Sequence, residues 1–181
     1  MKKLKIFEEL KELIPLITYQ QFKDENILVV SHTNLLFLLT FLKLHFGYRY
    51  NLLTCISGVD LLGKIYRFSI VYDFLSLLYN SRLRVKIFID ELTFVPSIID
   101  LYINSNWWER EVWDLYGVYF DKHPDLRRIL TDYGFEGYPM RKDFPQNGYI
   151  ELRYDESKKR VVVEPLELTQ EFRTFTFETP W

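Results

Sequence analysis

Three carboxylates within six residues could carry acid–base chemistry: Glu109, Glu111 and Asp114 all lie in "EREVWDLYGVYF" (residues 109–120), and His123 follows closely. General acid–base work needs a carboxyl or imidazole that faces another polar group across a cleft, with its pKa displaced toward the working pH. Neighbouring residues of a helix point in different directions, however. Arg110 stands one turn before Asp114, so an ion pair in a structural network accounts for the same charges. His123 precedes Pro124 and has no second His or Cys at ligand spacing, which suits capping or packing better than metal binding.

Other chemistries lack their residues. Ser57 and Ser69 have no "GxSxG" context, and neither "GxxxxGK" nor "GxGxxG" occurs, so no nucleophile elbow or phosphate loop is expected. Cys55 is the one cysteine, which excludes an internal disulfide and a thiolate-held cluster, and the chain is expected to hold no metal. Arg127, Arg128, Arg141 and Lys142 stand among aromatics in "DLRRIL" and "YPMRKDFP", but residues 121–160 hold nine Lys/Arg against eight Asp/Glu. With a whole-chain charge of -2, that balance argues against nucleic acid as a partner. Aromatics and arginines in such a mixture are also the residue types enriched at protein interfaces.

The elements that must position these groups follow from periodicity. Leu4, Phe7, Leu10 and Ile14 predict an amphipathic helix over 3–14, stopped at Pro15. "NILVVS" (26–31) predicts a strand, and Thr33 or Asn34 a cap for a helix from Leu35 to Phe46 that ends at Gly47. "LLTCISGVD", "KIYRFSIVYDFLS" and "RLRVKIFIDEL" predict three strands, the last two joined through a turn at 79–82. A helical turn or two follows Pro96.

Asn106 with Glu109 resembles a capping box, which opens a helix over 106–116 ended by Gly117. Trp108, Val112 and Leu115 share one of its faces, expected to meet the core, and Arg110 and Asp114 lie one turn apart on a charged flank. "HPDLRRIL" predicts a short third helix with Pro124 in its first turn. From Gly134 onward the glycines and prolines favour turns and extended chain. The longest apolar run, "LLFLLTFL" (35–42), falls far short of the roughly 20 residues that cross a bilayer, so no membrane span is expected. The beginning, "MKKLKIFEEL", matches neither a secretory nor an import signal, which places the protein in the compartment where it is made. The sequence contains no alanine, which no folding rule demands. An AT-rich coding genome, as in many organelles, would account for it.

The final stretch, "RVVVEPLELTQEFRTFTFETPW", holds Phe172, Phe175, Phe177 and Trp181 without helical period. A segment this apolar requires a surface to cover it, either its own sheet or another protein.

Glu109-Arg110-Glu111, then Asp114-Leu115-Tyr116, His123, Arg127 and Ile129-Leu130, at the spacing found here, resembles the defining pattern of the thirty-kilodalton subunit family of respiratory complex I. "HPDLRRILTDYGFEGYPMRKDFPQNGYIELRYD" and the ending just quoted resemble that family too; residues 107–181 match closely and 1–106 in order of elements alone. The family form often has His where this chain has Tyr138.

The resemblance implies an α+β fold: a two-layer mixed sheet with helices on one face over residues 1–133, followed by an extended arm over 134–181 that packs on partner subunits. It implies a non-catalytic core and scaffold subunit in the hydrophilic arm of proton-pumping NADH:ubiquinone oxidoreductase. The site would lie beside the large quinone-site subunit and the iron–sulfur subunits, on the matrix side of the mitochondrial inner membrane or the cytoplasmic side of a bacterial one. NADH, FMN, iron–sulfur clusters and ubiquinone would belong to other subunits. Arg128, Arg141, Lys142, Asp143, Phe144, Phe172, Phe175, Phe177 and Trp181 are the expected partner contacts. Two rivals stand beside this reading: a freestanding enzyme using Glu109, Glu111 or Asp114, and the equivalent subunit of a related membrane-bound hydrogenase or quinone-linked dehydrogenase.

Overall fold

The structure is a computed structural model that describes residues 18–23, 25–170, 172–179 and 181; the helix expected over 3–14 lies outside the described residues. The chain divides into two compact units, residues 1–141 and 142–181.

The first unit is a two-layer α+β domain. Its elements are β1 (Thr18–Phe22), β2 (Glu25–Val29), α1 (Leu35–Leu44), β3 (Leu52–Asp60), β4 (Phe68–Ser76), β5 (Ser81–Ile89), β6 (Val95–Pro96), α2 (Ser105–Tyr116) and β7 (Phe120–Asp121). Five strands form a mixed sheet in the order β1-β2-β5-β4-β3, in which β2 and β5 are parallel and the other neighbours antiparallel.

Alternation decides which side of this sheet is covered. Ile70, Tyr72 and Phe74 of β4 and Leu83, Val85 and Ile87 of β5 are buried in one core with Leu35, Leu38, Leu39 and Leu42, the i, i+3, i+4, i+7 stripe of α1. Each such side chain contributes about 1.5–3 kcal/mol on burial, so this stripe and these strands dominate the unit's stability. A bulge in β3 between Leu53 and Cys55 shifts the register, and Cys55 then pairs with Asp73 on the other face.

Three local expectations fail in instructive ways. The helix α1 ends at Leu44, with His45 extended (ψ 129°), so Gly47 provides no left-handed stop; Arg49 takes the positive φ of 43°. Asn106 lies inside α2, whose first flanking residue is Asn104, and the Asn104 amide donates to Leu53 O (2.7 Å). "HPDLRRIL" is not helical, because the N–H groups of Ile129, Leu130 and Thr131 donate to the Asp114 carboxylate, not to carbonyls one turn back.

The second unit contains an antiparallel hairpin of β8 (Ile150–Asp155) and β9 (Arg160–Pro165), closed by a turn in which Asp155 Oδ1 accepts from Ser157 N (3.0 Å) and Lys159 takes φ 50°. The register places Ile150, Leu152 and Tyr154 opposite Pro165, Val163 and Val161, so one face is continuously apolar. That face is exposed: Leu152 is 63% accessible, Tyr154 56% and Val163 61%.

Candidate functional site

The motif helix α2 sits against β3, and a missing side chain lets it approach. A Cβ at Gly58 would stand 2.6 Å from the Tyr116 ring, so only glycine permits that ring to rest on the strand. At its far end Gly117, at φ 78°, donates to Trp113 O (2.9 Å) and stops the helix as its sequence position predicts.

The charged flank of α2 is the buried one, more so than the face expected to meet the core. Glu109 and Asp114 are 0% exposed and Arg110 8%, whereas Trp108 and Leu115 are half-buried and Val112 alone of its face is fully enclosed. Glu109 accepts from Ser97 Oγ (2.6 Å) and from the Ile98 N–H (2.8 Å), tying α2 to the chain just after β6. His123 lies on the chain after β7, with Nε2 3.8 Å from Glu109 and 3.3 Å from Asn106 O. The short parallel ladder of β6 with β7 brings these two segments together: Val95 N–H donates to Tyr119 O and Ser97 N–H to Asp121 O, both at 2.9 Å.

Asp114 is the densest node. Its oxygens accept from Arg128 Nη1 (3.0 Å), Thr131 Oγ1 (2.6 Å) and the N–H groups of Ile129, Leu130 and Thr131 (3.2, 2.7 and 2.9 Å). Burial raises its pKa, but the Thr131 and backbone donors outweigh burial and hold the carboxyl below the ordinary carboxylate value. One side chain thus shapes the whole 128–131 loop.

The remaining motif residues are distributed around this node. Glu111 is half-buried. Arg110 donates to Arg127 O (3.2 Å) and lies over the Trp107 ring, while Arg127 itself is exposed and pairs with Asp125 (3.0 Å).

Two of the arginines expected at a partner surface are engaged within the first unit. Arg128 reaches Asp114, and Arg141 donates to Tyr116 O (2.7 Å). Tyr138 is held between their guanidinium groups, 5.1 Å from Arg128 and 4.6 Å from Arg141, with Trp113 edge-on at 5.9 Å. This clamp occupies the space beside Gly117, where a Cβ would come within 2.7 Å of both Tyr138 and Arg141. Glu91 extends it, bridging Arg67 (2.5 Å) and Arg141 (3.7 Å).

In the second unit Lys142 and Asp143 are exposed and Phe144 is half-buried, edge-on to Tyr149 at 5.5 Å. Phe172, Phe175, Phe177 and Trp181 are exposed at 85, 70, 94 and 99%. Sequence reasoning named these rings as partner contacts and missed Ser97 and Thr131 as the partners of the motif carboxyls. The buried face shows only when segments far apart in the chain are brought together.

The donor sets do not fit an iron–sulfur cluster. Such clusters need several thiolates. Cys55 is the only cysteine, its thiol contacts Asp73 Oδ2 (3.5 Å), and burial pushes its pKa up. Among the described residues no group of three or more His, Cys, Asp or Glu side chains could hold a metal ion, and no helix is long and apolar enough to cross a membrane.

Residues 28–150 match the family described as "Respiratory-chain NADH dehydrogenase, 30 Kd subunit". The chain is 59% identical over 159 residues to NADH-ubiquinone oxidoreductase subunit 9 of Reclinomonas americana, covering 88% of this chain and 78% of that one. It is 57% identical over 152 residues to NADH dehydrogenase [ubiquinone] iron-sulfur protein 3 of Arabidopsis thaliana, covering 83% and 80%. Its structure resembles a chain of the membrane-bound sulfane sulfur reductase, an archaeal respiratory membrane complex, with a TM-score of 0.68 and 25% identity over 90% of this chain and 100% of that chain. Fold, motif and sequence agree, and the chain belongs to the family of the 30 Kd subunit of respiratory-chain NADH dehydrogenase.

Proposed function

We propose that this chain is a core scaffold subunit in the hydrophilic arm of proton-pumping NADH:ubiquinone oxidoreductase, with no catalytic residue of its own. Its neighbours are the large quinone-site subunit and the iron–sulfur subunits, which with the remaining subunits carry NADH, FMN, the clusters and ubiquinone. The observation that carries this reading is the contrast between the motif carboxylates and the hairpin. Asp114 is saturated by five donors, whereas the apolar face of β8–β9 stands open. An exposed apolar face on a two-stranded hairpin is the signature of a surface completed by another protein. Relatives from a protist and from plants support placement at the mitochondrial inner membrane, on the matrix side.

The kinship of the fold with an archaeal membrane-bound complex favours, as a second reading, the equivalent subunit of a related quinone-linked or hydrogenase-type assembly. The 59% identity to a ubiquinone-linked relative, against 25% to the archaeal chain, supports the first.

Affinity capture of the tagged chain from native membranes tests the proposal. Recovery of the larger subunits together with NADH:quinone activity is expected, and Leu152→Ser combined with Val163→Ser should lose both. Capture of the chain alone would overturn the scaffold role. So would NADH or quinone turnover by the purified chain that disappears in Glu111→Gln.

A further inference from the structure

Glu109 stands where four pieces of the first unit converge. Ser97 and Ile98 reach it from the segment after β6, His123 from the segment after β7, and Ser105 from its own helix. Tyr72 of β4, fully buried, approaches from the sheet. Both the Glu109 and the His123 side chains are fully enclosed.

Every polar group facing this carboxyl is neutral. The Asp125 N–H donates to His123 Nδ1 (3.1 Å), which leaves the ring proton on Nε2, 3.3 Å from the Asn106 carbonyl. A neutral imidazole results. Arg110, the next residue on α2, turns to Arg127 O and the Trp107 ring, and Asp125 pairs with Arg127. With His123 neutral, no cation among the described residues stands within ion-pair distance of the Glu109 carboxyl. Tyr72 Oη, also buried, has no hydrogen-bond partner, and the buried Ser105 Oγ faces the carboxyl.

An ion enclosed by neutral groups is destabilised relative to its protonated form. We propose that Glu109 is a proton-binding site of the fold: its carboxyl rests as the neutral acid, donating to the Ser97 or Ser105 hydroxyl, and its ionisation loosens α2 from the β6–β7 ladder.

The direction of the titration agrees with this geometry. Burial lifts the Glu109 carboxyl to about 7, against the pull of Ser97 and the Ile98 N–H. Burial also holds the His123 imidazole below its ordinary value, against the pull of the Asn106 carbonyl. The two groups act in opposite senses. The Glu109 contribution is complete below 4.5, its unfolded value, and is lost as pH rises through about 7; the His123 contribution is complete above 6.5 and is lost as pH falls. A comparison at each pH between wild type and Glu109→Gln, which mimics the neutral acid, cancels His123.

The full chain is unfolded in urea at about pH 5 and about pH 8, and the folded-to-unfolded ratio of Glu109→Gln is divided by that of wild type; this quotient should rise at least about tenfold between the two. A quotient that is flat, or that falls with pH, overturns the proposal. Carbon-13 labelling of glutamate carboxyls in the wild-type chain gives a second readout that needs no variant. A buried carboxyl titrating near neutrality, absent after Glu109→Gln wherever that variant folds, supports the site. Ionisation of all carboxyls at about pH 5.5 overturns it.

Discussion

In the first unit two motif carboxyls lie inside among hydrogen-bonding groups, while in the second unit aromatic rings lie outside and are bare. Glu109 and Asp114 are 0% exposed, yet Phe177 and Trp181 exceed 90%. Residue type alone would place them the other way round. The difference teaches what each unit is selected for. Buried charge is tolerated where donors saturate it, as Thr131 and the 129–131 backbone do at Asp114, and it fixes one geometry at the price of a demanding fold. Exposed apolar area contributes nothing to the isolated chain and a great deal once covered. Stability and assembly should therefore be separable by unit.

The largest expected effect breaks the first half of this comparison. Asp114→Ala leaves Arg128 and three backbone N–H groups without their acceptor, and should destabilise the first unit by about 3–5 kcal/mol in urea unfolding. Because the Asp114 pKa is lowered on folding, its stabilisation is present above 3.8 and is lost as pH falls below that value. Asp114→Asn should accordingly remove part of the acid sensitivity below pH 3.8; an unchanged acid transition would mean the carboxylate is unimportant.

Next in size is Gly58→Ala, which sets a methyl against the Tyr116 ring and should cost about 1–3 kcal/mol, with near-ultraviolet circular dichroism reporting the displaced tyrosine. On the other side of the comparison, Leu152→Ser should change the unfolding free energy of the isolated chain by less than about 0.5 kcal/mol while weakening capture of the larger subunits. A large loss in the isolated chain would show that the hairpin face is covered internally. Smallest of all, Arg153→Gln removes the exposed cross-strand pair with Glu164 and should leave the unfolding midpoint unchanged.

What the sequence revealed depended on whether the determinants were local. Alternation marked β3, β4 and β5, a four-leucine stripe marked α1, and Gly117 marked the end of α2, since each signal lies within a few residues of the structure it specifies. The 123–130 segment has the pattern of a helix but does not form one, because the N–H groups of Ile129, Leu130 and the following Thr131 are claimed by Asp114, 15 to 17 positions away. The charges on α2 are plain in the sequence, but the groups that enclose them, Ser97 and His123, come from elsewhere in the chain. At the other end of the chain the apolar residues of 150–163 were visible, but the cross-strand register that gathers them on one face was not.

The two-residue β6–β7 ladder has a bearing on biosynthesis. A nascent polypeptide exposes Val95 and Ser97 long before Tyr119 and Asp121 leave the ribosome to accept their protons. Until then nothing latches the segment carrying "EREVWDLY", and its acidic groups meet solvent. Translation pausing ahead of codon 121 would lengthen that vulnerable interval.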